Sequence, residues 1–481
     1  MNKIDQCHQL TPRGLPWGLV AAGMAASMRA AAQTLADSSA DDVRAPAPTL
    51  ERNLEDWSYL AAPGNRTGRW TEPLKYIPLN EDGSTYLTTG IEMRLRYERF
   101  ENRNWGAAPD DDYIWHRAMP YFDLHAGKFR LFAQPIASGI LRAQRERTPI
   151  DTTGADMLQA FVEASIDLGE DTQVHVSVGR KLLFLGSGRL VETRHGPNVP
   201  LAFDGVEARV ADELRQVRLL WVRPVHNKTG SFNDGTSRQQ TLWGAYATQW
   251  AGADKTSGFD LYYLGLRDEQ ATYDQGTGEH IAHTFGGRWF GHAGPWSWNI
   301  ESALQRGRFE GHRAAAWGTG AQVAYRFRQR ALEPMFGLDV DYIPGDDDPD
   351  DPRLDAINAL FAGGRYFGQL STLGPRNLMQ IRLPLTLHPR DGMTVSLIGA
   401  RYWRESLRDG IYSMPGMLVR SGQGSTARAI GSQLELSVAY QASPELNLSA
   451  SVNAFYPGAF IRETGPARTL RTMSATATFR F

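Results

Sequence analysis

Four basic side chains crowd one glycine-rich stretch: Arg180 and Lys181 directly after Gly179, then Arg189 and Arg194 beyond Gly186-Ser187-Gly188. His195-Gly196-Pro197-Asn198 and Phe203-Asp204-Gly205 close it. Guanidinium groups bind carboxylates through paired, charge-assisted hydrogen bonds, so the chemistry offered is recognition of an anion. A phosphate cradle would need a helix after Gly186-x-Gly188, and no helical pattern follows. The remaining rival is an external loop whose arginines bind lipopolysaccharide phosphates.

The other titratable residues alternate with apolar ones. Arg94, Arg96, Arg209, Arg288, Arg326 and Arg404 interleave with Glu92, Glu98, Glu163, Glu207, Glu301 and Glu435. A partly dehydrated channel makes unpaired charge costly, so such a ladder either fills a lumen or exchanges hydrogen bonds with hydroxylated solutes. The candidate path-lining residues are therefore Arg94, Arg96, Arg180, Arg189, Arg194, Asp204, Arg209, Arg288 and Arg404. The acidic run Asp346 to Asp351, near Asp339 and Asp341, offers Asp346 and Asp348 as calcium ligands but lacks the spacing of a calcium loop. His280 and His283 fall on opposite faces of a strand, and no nucleophile stands beside a base, so neither enzyme nor cofactor is expected.

These side chains need strands to position them. In Ile91-Glu92-Met93-Arg94-Leu95-Arg96-Tyr97-Glu98 one face is apolar and the other fully charged, which suits lipid outside and water inside. The closing stretch, Leu470 to Phe481, puts Met473, Ala475, Ala477, Phe479 and Phe481 on one face and Ser474, Thr476, Thr478 and Arg480 on the other. An apolar edge at a chain end invites aggregation unless a barrel closes on it. Period-two segments from Tyr86 onward add up to about 18 strands, and long connections alternate with short ones such as 125–128, 169–171, 389–392 and 441–444. Asp268 to Glu279 is expected among the long loops. The fold expected is all-β: a transmembrane antiparallel barrel over 85–481, with long extracellular loops and short periplasmic turns.

Composition agrees. No stretch reaches the ~20 apolar residues of a membrane helix, the formal net charge of −2 gives no footprint for nucleic acid, and the single cysteine, Cys7, lies in the leader. Residues 1–32 read as an export signal, with Lys3 and Arg13 ahead of a small apolar stretch and Ala30-Ala31-Ala32 as the cleavage point. Residues 33–84 read as an irregular periplasmic lead-in.

Several local signatures together resemble the alginate export family of outer-membrane proteins. They include Glu55-Asp56-Trp57, Leu74 to Leu79, Gly90 to Glu98, Gly179-Arg180, Gly186 to Gly205, Trp243-Gly244 and Tyr366-Phe367-Gly368. Pro375-Arg376-Asn377-Leu378, Trp403-Arg404, Asp409 to Tyr412 and Pro457-Gly458 extend the likeness over nearly the whole mature chain. The resemblance implies an 18-stranded channel for an anionic polysaccharide with a basic constriction that Arg180 would join, while Gln159 stands near the place of a second family arginine. A specific uptake porin for small acids or sugars, and an outer-membrane enzyme acting on lipid or polysaccharide, are the alternatives. The expected partners are an anionic polysaccharide or small organic anion and the outer-membrane lipid with its lipopolysaccharide; a monomer is expected. Arg180 shares parity with Val174, Val176 and Val178, so it reaches a lumen only if the strand bulges near Gly179.

Overall fold

The computed structural model describes residues 46, 49, 51–169, 171–364 and 372–481. The leader 1–32 and Tyr366-Phe367-Gly368 lie outside the described residues. The period-two stretches become one antiparallel sheet whose long members are β1 (Thr85–Glu101), β2 (Asp111–Ala126), β3 (Phe129–Leu141), β4 (Gly154–Leu168), β5 (Thr172–Leu182) and β6 (Ala202–Ala211). They continue as β7 (Arg215–His226), β8 (Gln240–Trp250), β9 (Ser257–Tyr273), β10 (Gly276–Ala293), β11 (Trp296–Phe309) and β12 (His312–Arg326). The last are β13 (Met335–Ile343), β14 (Leu378–Arg390), β15 (Met393–Trp403), β16 (Ala429–Gln441), β17 (Leu446–Pro457) and β18 (Leu470–Arg480). Each pairs with its sequence neighbours, and β18 returns to β1 from Arg480↔Glu92 to Arg471↔Glu101. Phe481 completes the seam: its N–H donates to Ile91 O at 3.1 Å and its O accepts from Ile91 N–H at 3.2 Å. The result is a closed 18-strand barrel.

Face by face, the polarity inverts that of a water-soluble protein. On β1, Met93 and Leu95 are 44% and 54% exposed, while Glu92, Arg94 and Glu98 are buried. Trp221 and Leu261 project outward at 60% and 70% exposure. An apolar outer band around a polar interior is stable only with hydrocarbon outside.

One end of the barrel carries mostly tight turns, such as 127–128, 212–214, 294–295 and 391–392; the other carries 183–201, 344–364, 372–377 and 404–428. Asp268–Glu279, expected as a long loop, is instead a hairpin. β9 and β10 run on to Tyr273 and Gly276 with one irregularity between Asp268 and Ala271. The extension persists because Ala271 and Tyr273 pack with Phe309, Ala314 and Leu354, so the period-two pattern there is buried by a neighbouring loop and not by lipid.

The lead-in is irregular, with short 3-10 turns at Arg52–Leu54, Ser58–Ala61 and Pro63–Asn65 and one helical turn at Glu72–Lys75, yet it is firmly docked at the short-turn end. Arg52 Nη2 donates to Phe481 O at 2.7 Å, Arg69 pairs with Glu445 at 3.0 Å, and Arg130 Nη2 donates to Asn53 O at 2.7 Å. Lys75 Nζ donates to Tyr121 Oη at 2.7 Å and Thr89 O at 2.9 Å. It also faces the rings of Trp57, Tyr121 and Phe481. With so little water around it, burial pushes the Lys75 ammonium down to about 7, Arg52 adding to the effect.

Candidate functional site

Residues 183–201 leave β5 and fold into the lumen. Leu183, Leu185, Leu190 and Val191 are buried there against Phe203, Leu220, Val222, Leu242 and Leu264. The lumenal face of β6–β9 is apolar to receive them, and this burial is what turns the loop inward. Gly186 bends at φ +57°, and a Cβ there would run into Tyr246 Oη. Leu185 and Val191 bridge each other, and Val191 bridges Phe361, which ties this loop to the long loop after β13.

Arginines strap the far end of the loop to β1 and β2. Arg94 donates to His195 O at 2.9 Å and Pro197 O at 2.7 Å. Arg117 reaches Pro197 O at 3.2 Å and Asn198 O at 3.3 Å, and Arg96 reaches Gly196 O at 3.3 Å. Asn198 Nδ2 in turn donates to His116 O, Gly139 O and Asp151 O at 3.1, 3.0 and 2.9 Å. Glu92 accepts from Arg117 Nη2 and from Arg480 Nε, each at 2.6 Å. On the opposite wall Arg189 pairs with Asp341 and lies 3.8 Å from Glu301, and Arg194 Nε donates to Ala362 O at 3.2 Å. Burial pushes the Arg194 guanidinium down to about 10, with Glu192 opposing. The loop thus crosses the lumen as a bridge held at both ends by charge-assisted hydrogen bonds.

The expected path-lining residues separate into three groups. Arg94, Arg96, Arg189 and Arg194 converge on this bridge. Arg209 lines the lumen wall without contacting it, and Arg288 stands beside its Gly186; Arg288 Nε pairs with Asp260 at 2.6 Å and its guanidinium lies 3.9 Å from the Phe290 ring centroid. Arg180, Asp204 and Arg404 do not belong to the path. The register runs unbroken through Phe161↔Gly179, Ala160↔Arg180 and Arg180↔Asp204, so the expected bulge at Gly179 is absent. By alternation Arg180 shares the outer face with Val178, 50% exposed, and Asp204 with Val206, 44% exposed. Arg180 Nε pairs with Asp204 at 2.7 Å, and Thr236 Oγ1 donates to Asp204 at 2.7 Å, forming a clasp on the wall. The irregularity lies one strand earlier, opposite Gln134 and Pro135, where a proline lacks the N–H to continue the ladder. Gln159 fills that place, donating to Gln134 at 2.8 Å. The inward base is the next residue, Lys181, which donates to Glu207 at 2.9 Å.

Arg404 is fully buried in the external loops, its donors taken by the carbonyls of Leu407, Asp409, Ser425 and Ala427 and its plane stacked on Phe460. It builds the cap and touches no path. Asp348 pairs with Arg408 at 2.7 Å, and among the described residues no group of three or more His, Asp, Glu or Cys is placed to hold a metal. Sequence reasoning passed over Arg117, Arg130, Arg218 and Arg382 as lumenal residues. Their alternation with Ala118, Leu131, Leu219 and Ile381 was the available signal.

Asp346 lies buried beside Asp409, its N–H donating to Asp409 Oδ2 at 2.9 Å. Burial, then the Asp409 charge, pushes the Asp346 carboxyl up to about 7. Its unfolded value is near ~3.9. The closed cap therefore holds a proton that an opened loop releases, so cap stability falls as pH rises from about 4 to about 7 and levels off above. Protease cutting at Asp346–Arg353 in the detergent-solubilised barrel is expected to be slower at pH 5.5 than at pH 8.5, and Asp346→Asn should abolish the difference. Equal cutting of the wild type at both values would refute the coupling.

A family model for alginate export matches residues 85–474. Among solved structures the chain is similar to OccAB1 of Acinetobacter baumannii, with TM-score 0.56 and 11% identity over 85% of this chain and 99% of that one. It is also similar to OccK2 (OpdF) of Pseudomonas aeruginosa in complex with glucuronate, with TM-score 0.53 and 11% identity over 82% and 98%. A third similar structure is OpdK of Pseudomonas aeruginosa with vanillate, with TM-score 0.53 and 10% identity over 82% and 98%. At these identities the likeness is one of fold. Among curated proteins none matches the chain.

Proposed function

Because this chain belongs to the alginate export family and is an outer-membrane channel, we propose that its lumen passes a polar, anionic saccharide. The observation carrying this reading is the bridge 183–201, strapped by Arg94, Arg96 and Arg117 on one wall and tied through its own Arg189 to Asp341 on the other. It narrows the lumen to a passage whose walls alternate guanidinium and carboxylate groups. A sugar acid meets cations for its carboxylate and paired charges that exchange hydrogen bonds with its hydroxyls, and the low-dielectric wall strengthens both. Enzymatic action on lipid or polysaccharide finds no support in Glu92, Asp123, Glu207, Asp260 and Asp341, lumenal carboxylates that are each tied to a cation. A free general base is what hydrolysis would need.

Uptake of small organic acids is the second reading, supported by the likeness in fold to barrels solved with glucuronate and vanillate. Planar-bilayer recording separates the two. Anion-selective current blocked by uronate oligomers more strongly than by the monomer supports passage of a polysaccharide; block by monomeric acids alone supports uptake. A cation-selective barrel, or one carrying no current, would overturn both.

A further inference from the structure

Across the lumenal face of β4–β8 one register row carries Ser165, His175, Arg209, Arg218 and Tyr246. Arg209 and Arg218 stand directly opposite each other, a like-charge pairing that destabilises a sheet unless anions answer it. Arg218 is answered: it contacts Glu207 Oε1 at 2.5 Å and donates to Phe184 O at 2.8 Å. Lys181 is held by the other oxygen of Glu207, and Arg130 pairs with Asp123 at 2.7 Å. Arg209 is not answered. Among the described residues it makes no hydrogen bond and no ion pair, and Glu163 and Glu207 act on it only at longer range. Its nitrogens are not sealed off, and its side chain is half-buried. On its other flank His175 is engaged by Ser165 Oγ at 2.9 Å.

The place of the row matters. β6 ends at Ala211, so Arg209 stands near the periplasmic turns, where the lead-in docks through Asn53 on Arg130. The chain's own Glu51 carboxylate acts on Arg218 from that side. A carboxylate of the lead-in thus already bears on this basic row, while its central guanidinium keeps its donors for another.

We propose that Arg209, flanked by Arg218 and His175, is an anion subsite that takes the carboxylate of a sugar acid at the periplasmic end of the lumen. This rests on the reading that the barrel passes anionic saccharides. An anion entering from the periplasm meets Arg209 at the near edge of the bridge, where Arg218 holds Phe184 O, and a guanidinium with free donors can grip it bidentately. The test uses the full barrel in planar bilayers with D-glucuronate added on the short-turn side. Arg209→Gln is expected to weaken block about tenfold, the worth of one charge-assisted hydrogen-bonded contact, and to shift the reversal potential toward cations. Arg209→Lys keeps the charge but not the fork, so it should keep the selectivity and weaken block by a smaller factor. A folded, heat-modifiable Arg209→Gln barrel with unchanged block and reversal potential overturns the subsite while leaving the channel reading intact. A wild type without anion preference overturns the reading that the barrel passes anionic saccharides and the subsite with it. Should Arg209→Gln fail to assemble, Arg209→Lys decides: weaker block supports the subsite and unchanged block overturns it.

Discussion

A barrel carrying Arg94→Ala together with Arg117→Ala is expected to conduct severalfold more current than the wild type, with larger and noisier openings. These two side chains hold the carbonyls of His195, Pro197 and Asn198, and with them the end of the bridge that crosses the lumen. A hydrogen bond from a charged donor contributes about 1.5–3 kcal/mol, so losing several at once removes an amount comparable to the stability of a docked loop. The apolar end of the bridge, around Leu185, Leu190 and Val191, stays packed on β6–β9. The bridge should therefore swing from that end and not unfold. Arg96→Ala, which removes only one bond to the bridge, at 3.3 Å, should change conductance far less. Glu92 keeps Arg480 in the double variant, so closure of the barrel is not at stake. Unchanged conductance would mean that the bridge does not set the narrowest point.

That experiment turns on a distinction the amino-acid sequence does not carry. Alternation shows that Arg94, Arg96 and Arg209 face inward, because Met93, Leu95 and Ala208 must face lipid if a barrel forms. It does not show which inward arginine binds the chain's own carbonyls and which keeps its donors. That depends on where residues 183–201 go, and their destination is written in the wall that receives them. There the sequence reads Leu219-Leu220-Trp221-Val222, apolar on both faces, so a lumenal surface built to bury a loop looks like a strand buried on two sides. Arg180 shows the opposite situation. Its parity with Val178 was legible and correct, and an unbroken register through Gly179 keeps it outside. The glycine at φ +136° lies so close to Ala160 O that no side chain could replace it, and it accommodates the twist without a step. Arg404 was legible as a basic residue after an apolar strand end, but its role in the cap depends on carbonyls more than twenty residues away in sequence, which no local pattern encodes.

The closing seam should be the most sensitive point of the barrel, and Glu92→Gln the change that exposes it. Glu92 is almost fully buried and sits between three partners: Arg117 on β2, Arg480 on β18 and His195 on the bridge, at 2.6, 2.6 and 3.3 Å. Its backbone also pairs with Arg480 in the β1–β18 ladder, so the same residue joins the first strand to the last and both to the bridge. A neutral amide would leave the fully buried Arg117 guanidinium, and the partly exposed one of Arg480, without a counter-charge. Removing one member of a buried ion pair costs about 3–5 kcal/mol, most of it from the charge left behind. Glu92→Gln should accordingly lower the temperature at which the folded band disappears in heat-modifiability gels and reduce the yield of assembled barrel. Arg480→Leu removes a cation that is itself 23% exposed, and Glu92 keeps Arg117, so its effect should be clearly smaller. Glu92→Leu combined with Arg480→Leu leaves only Arg117 in excess, with the carbonyls of Pro197 and Asn198 still to receive it, and should fall between the two. If Glu92→Gln and Arg480→Leu shift the transition equally, the seam is held by its ladder and the Phe481 pairing alone, and Glu92 is not the point at which the barrel is locked.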